Sequence, residues 1–323
     1  MKRKKSLSIV IPHFNSNGLI KRALQSVDNL SRENISDLEV IIIDDGSSED
    51  QLDILLRSVD EFSTHMDIKI EKLLENKGIP SARNAGVKTC SKEFVLFLDQ
   101  DDMLQPSIID SYVSILNSFG DKTIGAIYCK VKFVDSRGVL LGISGPPFPK
   151  KFYGEFFIID KNNAYLIFNF PIPSASGILI PRIMFDEFGL LDTSLYSGDE
   201  IEFLSRVVVR YPIIYLNEVG VEKLVHTRNA SRNTIKMVSS IYLLLDKVSL
   251  NLGYSNLSVQ YNRASLLHSL KVVILFLENV RFMSINLKHI GSAYYRLWLT
   301  MLNILLRVIL KVLRVIVRNL MFK

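Results

Sequence analysis

Four short strand-like segments, Leu7–Ile11, Leu38–Ile43, Ile68–Leu73 and Phe94–Leu98, are spaced through the first hundred residues. Between them the apolar residues recur at helical spacing, as at Leu19, Ile20, Ala23, Leu24 and Val27. Apolar runs such as Phe94–Leu98 suit strands buried on both faces rather than strands with one wet side. Alternation of this kind leaves few architectures open, because parallel neighbours need crossover helices. It predicts an α/β domain with a mostly parallel central sheet and flanking helices.

Helices are expected at 19–27 behind an Asn15 or Ser16 cap, at Gln51–Phe62, and at Ser81–Lys88 after the turn Gly78-Ile79-Pro80. Further on, the pattern predicts a helix over Ser107–Phe119 with Pro106 at its start, and a strand over Ile124–Val134. It then predicts a strand at Ser176–Ile180, a short helix at Pro181–Phe188 stopped by Gly189, a helix at Ile201–Arg210 and a strand at Ile213–Leu216. Residues 142–173, rich in Gly, Pro and aromatics, carry no period and read as irregular. From Thr234 the pattern is helical to the end.

The chemistry is concentrated where the strands run out. After Phe94–Leu98 come Asp99, Gln100, Asp101 and Asp102. Carboxylates this close repel one another unless a cation lies between them. In open α/β sheets the crevice beyond the carboxyl ends of the strands is where ligands bind. The first strand ends in Pro12-His13-Phe14-Asn15, an aromatic and an amide suited to stacking on and hydrogen-bonding a base. The second ends in Asp44-Asp45-Gly46-Ser47, and an acid in that place accepts hydrogen bonds from a ribose or a base N–H. The third leads into Asn76–Gly86, which holds Gly78 and Arg83, a guanidinium fork for phosphate oxygens. Base, ribose, diphosphate and a divalent metal together describe a nucleoside diphosphate ligand.

A fifth constellation, Ser197-Gly198-Asp199-Glu200 through Arg206, gathers acids at a helix start. The helix dipole alone favours them there, and one of them can serve as a general base on an acceptor hydroxyl. His226 is placed to complete a metal shell or to meet phosphate.

These motifs, in this order and spacing, resemble family 2 glycosyltransferases of the GT-A fold. The matching residues are Ser8–Asn15, Glu39–Ser48, Asn76–Gly86, Phe94–Asp102, and a later block from Gly177 through Phe185, Gly189 and Asp192 to Arg206. The resemblance covers roughly residues 6–230. It implies that Pro12, Phe14, Asn15, Asp44, Asp45, Asn76, Gly78, Arg83, Asp99 and Gln100 bind a nucleotide sugar, with Asp45 on a ring N–H of uracil. It implies Asp99 and Asp101 around a Mn2+ or Mg2+ on the diphosphate, with His226 as the further ligand considered above. The acid pair in this family usually runs Glu-Asp with the second member as base; here it runs Asp199-Glu200, which makes Glu200 the expected base and Asp199 the alternative. The implied reaction is a single inverting displacement at the anomeric carbon. A catalytically inactive relative that binds acceptor or assembles with a membrane partner is the alternative. A sugar nucleotidyltransferase would want a Gly-rich phosphate loop, and Ile9–Ser16 holds no glycine.

The net charge of +6 is unevenly spread. Residues 279–323 carry eight basic residues and no acidic one, which leaves 31 basic against 33 acidic residues in 1–278. The body therefore carries no nucleic-acid-binding charge. Arg307, Lys311, Arg314 and Arg318 fall on one face of a helix that is otherwise Val, Ile and Leu. Such a stripe suits the plane of an anionic membrane surface, not a spanning helix. The two cysteines make no disulfide framework, consistent with a reducing compartment. The expected organisation is a catalytic domain over 1–232, with a nucleotide-sugar half at 6–105 and an acceptor half at 106–232. A helical region follows over 233–323, with a membrane-binding tail at 296–323. The expected place is the cytoplasm, at the inner face of the cell membrane, with a saccharide or lipid-linked acceptor.

Overall fold

The apolar segments pair into the heart of one sheet. The computed structural model describes residues 3–144, 155–164, 166–169, 174–227 and 229, and single positions between 236 and 252. In chain order the elements are β1 (Lys5–His13), α1 (Ile20–Asp28), β2 (Ile35–Asp44), α2 (Glu49–Asp60), β3 (Asp67–Lys72), α3 (Ile79–Thr89), β4 (Phe94–Phe97), β5 (Met103–Leu104), α4 (Ile108–Ser118) and β6 (Ala126–Val134). They continue with β7 (Leu140–Ile143), β8 (Phe156–Ile159), α5 (Leu166–Asn169), β9 (Leu179–Pro181), α6 (Ile183–Phe188), α7 (Asp199–Val207) and β10 (Ile213–Leu224).

The strand order is β3-β2-β1-β4-β9-β6-β10-β5, with β7 beside β6 and β8 beside β10. The β3-β2-β1-β4 block is parallel throughout, with Ile9 opposite Val40 on one side and Leu96 on the other. Ile9, Val10, Ile11, Ile41, Ile42, Ile43, Val95 and Leu96 are buried, as runs without polar alternation require. Beyond β4 the antiparallel β9 joins this block to the parallel pair β6–β10. Helix α3 lies close on β1 because position 86 lacks a side chain. A Cβ there would stand 2.3 Å from Val10 Cγ1.

Three expectations change in detail. The strand expected at 213–216 continues to Leu224. Its register shifts twice between Leu216 and Val221, where Asn217-Glu218 and Gly220 read as loop. Gly220 leaves the space that Ile108 fills, so the strand passes α4 and resumes. The strand expected from Ser176 begins instead at Leu179, because Gly177 turns at φ +82° and its carbonyl accepts the Tyr112 hydroxyl at 2.6 Å. Residues 142–173, expected to be irregular, include the end of β7, all of β8, and α5. Strands β7 and β8 are set by pairing with β6 and β10 rather than by local pattern.

The compact unit spans Met1–Ser255, past the boundary expected at 232. The Ser240 hydroxyl accepts the Ser197 N–H at 3.0 Å and donates to the Ser197 carbonyl at 2.7 Å. Leu244 and Val248 are buried, and Leu244 fills the space beside Gly198. Ser240 and Leu244 thus seal the start of α7. The membrane-binding tail expected at 296–323 lies outside the described residues. Among the described residues no helix is long and apolar enough to cross a membrane.

Candidate active site

The loops beyond β1 and β2 are locked to each other. His13, fully buried, places Nδ1 2.9 Å from Asp44 Oδ1 and Nε2 2.9 Å from the Ser16 hydroxyl. Burial lowers its pKa against the opposing pull of Asp44, which favours the neutral ring. Asp44 also accepts the Ser47 N–H at 3.2 Å. It is fully buried, so its part at this site is to hold the loop and not to face a ligand. Pro12 is buried in β1 opposite Ile43, and Asn15, at φ 45°, takes Ser47 and Ser48 as partners. Phe14 is 42% exposed, an open aromatic face at the strand end. Its backbone is clamped by Gln100, which accepts the Phe14 N–H at 2.9 Å and donates to its carbonyl at 3.2 Å. Gln100 therefore joins the β1 loop to the β4 loop.

Asp45 reaches the third loop. Its two oxygens accept the Lys77 and Gly78 N–H groups, each at 2.8 Å, and burial raises its pKa. Gly46 makes this approach possible, since a Cβ there would stand 2.7 Å from Asn76 N. Asn76 is exposed at the rim, and Gly78 carries φ +89° ahead of α3. Each carboxylate oxygen has a second lone pair, so Asp45 can hold this loop and still receive a ring N–H.

Arg83 on α3 joins the two halves of the site. Nη2 donates to Asp99 Oδ1 at 2.8 Å and Nη1 to Asp199 Oδ2 at 2.9 Å, with Glu200 Oε2 4.0 Å away. The guanidinium lies over the Phe97 ring, 5.6 Å from its centroid. Burial opposes its charge, but Asp199, Asp99 and Glu200 outweigh that and raise its pKa. The next residue, Asn84, exchanges two hydrogen bonds with the backbone of Leu191, at 2.8 and 2.9 Å. Helix α3 therefore ties Leu191 and the start of α7 to the loop beyond β4.

The acidic run beyond β4 is shared among several partners. Asp99 Oδ2 meets Lys223 Nζ at 3.3 Å, and its N–H donates to the Ser176 hydroxyl. Burial pushes its pKa up, but Lys223 and Arg83 together bring it down to about 2. Asp101 Oδ2 stands 2.7 Å from His226 Nε2 and accepts Asn229 Nδ2 at 3.1 Å. Asp102 is fully buried: Oδ2 accepts the Ser176 hydroxyl at 2.6 Å and Lys223 Nζ at 3.2 Å, while Oδ1 has no partner. Burial raises its pKa to about 7 despite Lys223. Lys223 was not marked as a site residue by the sequence, because its strand reads as ending at Leu216.

On the opposite wall Asp199 and Glu200 open α7, beneath Gly198 at φ +83°. Asp199 is committed to Arg83. Glu200 is mostly buried, its side chain 12% exposed, and desolvation together with Asp199 raises its pKa to about 8. Arg206 is structural: it pairs with Glu202 one turn back and donates to the carbonyls of Phe188 and Leu190.

Residues 8–167 match the family described as "Glycosyl transferase family 2". The chain belongs to that family. The matched span holds Phe14, Asp45, Arg83 and the acidic run, and stops short of Glu200, Lys223 and His226. This family 2 chain is 24% identical over 243 residues to an "uncharacterized glycosyltransferase" of Rickettsia typhi, covering 73% of this chain and 70% of the relative. Its fold is that of S. aureus TarS in complex with UDP-GlcNAc, at TM-score 0.59 and 18% identity over 76% of this chain and 66% of that one. It is also that of the mannosyltransferase PcManGT of Pyrobaculum calidifontis in complex with GDP-Man and Mn2+, at TM-score 0.56 and 15% identity over 95% and 87%.

Among the described residues no group of three His, Cys, Asp or Glu side chains is gathered closely enough to hold a metal alone. Magnesium-type sites commonly use one or two protein ligands and take the rest from substrate phosphates. Asp101 Oδ2 and His226 Nε2, 2.7 Å apart, fit that arrangement. Asp99 is turned toward Arg83 and Lys223 instead.

Proposed function

We propose that this family 2 protein is an inverting, metal-dependent glycosyltransferase. It moves a sugar from a nucleoside-diphosphate donor, a UDP-sugar, to a hydroxyl of a saccharide or lipid-linked acceptor in surface polysaccharide or glycolipid synthesis. The observation that carries this reading is the Arg83 bridge. One guanidinium holds Asp99 at the nucleotide loops and Asp199 at the start of α7, so a donor and an acceptor placed in the two halves meet beside Glu200.

Phe14 stacks on the base and Asp45 receives its ring N–H. Arg83 supplies donors to the diphosphate. Asp101 and His226 would hold a Mn2+ or Mg2+, which when bound neutralises the leaving diphosphate. Glu200 takes the proton of the acceptor hydroxyl as that oxygen bonds to the anomeric carbon. The bond from that carbon to the diphosphate oxygen breaks, and the nucleoside diphosphate leaves with its electron pair. Attack from the opposite face inverts the anomeric configuration. Asp199, committed to Arg83, leaves Glu200 as the base of the pair.

The basic stripe of the tail supports association with the inner face of an anionic membrane. A thermal-shift panel of nucleoside diphosphates with Mn2+ tests the donor assignment, since stabilisation follows affinity. UDP with Mn2+ should raise Tm by several degrees, and the same ligands without effect would remove the basis of the proposal.

A further inference from the structure

Lys223 is the cation of the acidic run that the reaction above does not use. Its ammonium contacts Asp99 Oδ2 at 3.3 Å, Asp102 Oδ2 at 3.2 Å and the Ser174 hydroxyl at 3.0 Å. It reaches them from β10, after the bulged stretch around Gly220. The adjacent Glu222 pairs with Lys132 at 2.7 Å and with Arg22. Strand alternation therefore sends one charge of this dipeptide toward the acidic run and the other away from it. The Lys223 side chain is mostly buried, 18% exposed, so its charge acts at close range and with little screening.

We propose that Lys223 is a positioning residue that acts as a built-in cation. It ties Asp99 to Asp102, turns Asp99 away from the metal, and makes divalent-ion binding at Asp101 and His226 weaker than those ligands would give alone. With Asp99 held between Arg83 and Lys223, a metal arriving with the diphosphate meets two resident positive charges. Its entry is then controlled by the nucleotide, whose phosphates supply the compensating negative charge. The ion should bind poorly to the free protein and well only together with the nucleoside diphosphate. This inference rests on the donor assignment above.

Electron paramagnetic resonance of free Mn2+, titrated against the full chain with and without UDP, tests it. Wild type should bind Mn2+ measurably only when UDP is present. K223Q keeps a hydrogen-bond donor toward Asp102 and Ser174 but loses the charge; it should bind Mn2+ without UDP at least about tenfold more tightly than wild type, as expected when one unit charge is removed from within a few ångströms. K223R keeps the charge and should stay near wild type. A purely structural lysine predicts Mn2+ affinity unchanged or lower in K223Q, and that result would overturn the inference. If K223Q does not fold, wild type alone decides: tight Mn2+ binding in the absence of UDP contradicts a resident cation. Absence of Mn2+ binding to wild type even with UDP would instead count against the donor assignment itself.

Discussion

At the residue scale, Glu200 is the side chain whose environment most clearly sets its chemistry. As the proposed base it must be ionised to take a proton, and burial with Asp199 raises the Glu200 pKa to about 8. The kcat/KM of the free enzyme should therefore rise with pH along a limb far above the ordinary glutamate value of 4.5. In Asp199→Asn one of the charges that raise it is gone, so the limb should move toward lower pH; a limb that stays in place would detach Asp199 from the base. Glu39 is the counterpart at the far end of the sheet. It accepts from Ser8, Ser91 and Lys69. Burial alone would raise its pKa, and these donors bring it down to about 2. Its folded pKa is depressed, so its contribution to stability is complete above pH 4.5 and is lost as pH falls toward 2. Acid titration of Glu39→Gln should show a smaller loss of stability across that window than wild type. That the segments carrying Phe14, Asp45, Arg83 and the acidic run come together was legible because each follows a buried parallel strand, and such strand ends share one edge of the sheet. Asp44 was legible as polar but not in its role, since His13 takes it inward.

At the scale of elements, the proposed function depends on how closely α3 lies on β1. Gly86 permits that contact, and Arg83 and Asn84 precede it by one turn or less. Gly86→Ala places a methyl against Val10 and should destabilise the protein by about 1–3 kcal/mol. It should also weaken nucleotide binding, because the helix carries Arg83 with it; denaturant unfolding and UDP titration measure the two effects. Stability and affinity both unchanged would show that α3 is not held this way. The elements built from continuous apolar runs were readable from the chain. Strand β10 was not, because Asn217, Glu218 and Gly220 carry loop character, while β6 keeps pairing through two register shifts and β5 pairs with the strand beyond them. That missed extension is what concealed Lys223. Strands β7 and β8 were hidden for a related reason: their partners, not their own sequence, make them strands.

At the scale of the whole molecule, the chain after 232 belongs in part to the catalytic body. Ser240 and Leu244 cover the start of α7, where Glu200 sits. Removing 233–323 should lower stability by at least about 2 kcal/mol, the loss expected from stripping a single buried leucine. Removing 256–323 should leave UDP binding intact. The proposed membrane tail predicts a different readout for truncation near Tyr295: full-length protein should sediment with anionic vesicles and the truncated chain should not. Truncated protein that remains fully bound would contradict a role for that tail. The central claim is that Asp101 and Glu200 serve one reaction on a nucleotide sugar. Its most direct test is release of UDP from a panel of UDP-sugars in the presence of Mn2+, followed for wild type, Asp101→Asn and Glu200→Gln. The account predicts slow turnover by wild type with at least one donor and a loss of about 100-fold or more in each variant. No release from any donor, or release by the variants at the wild-type rate, would contradict it.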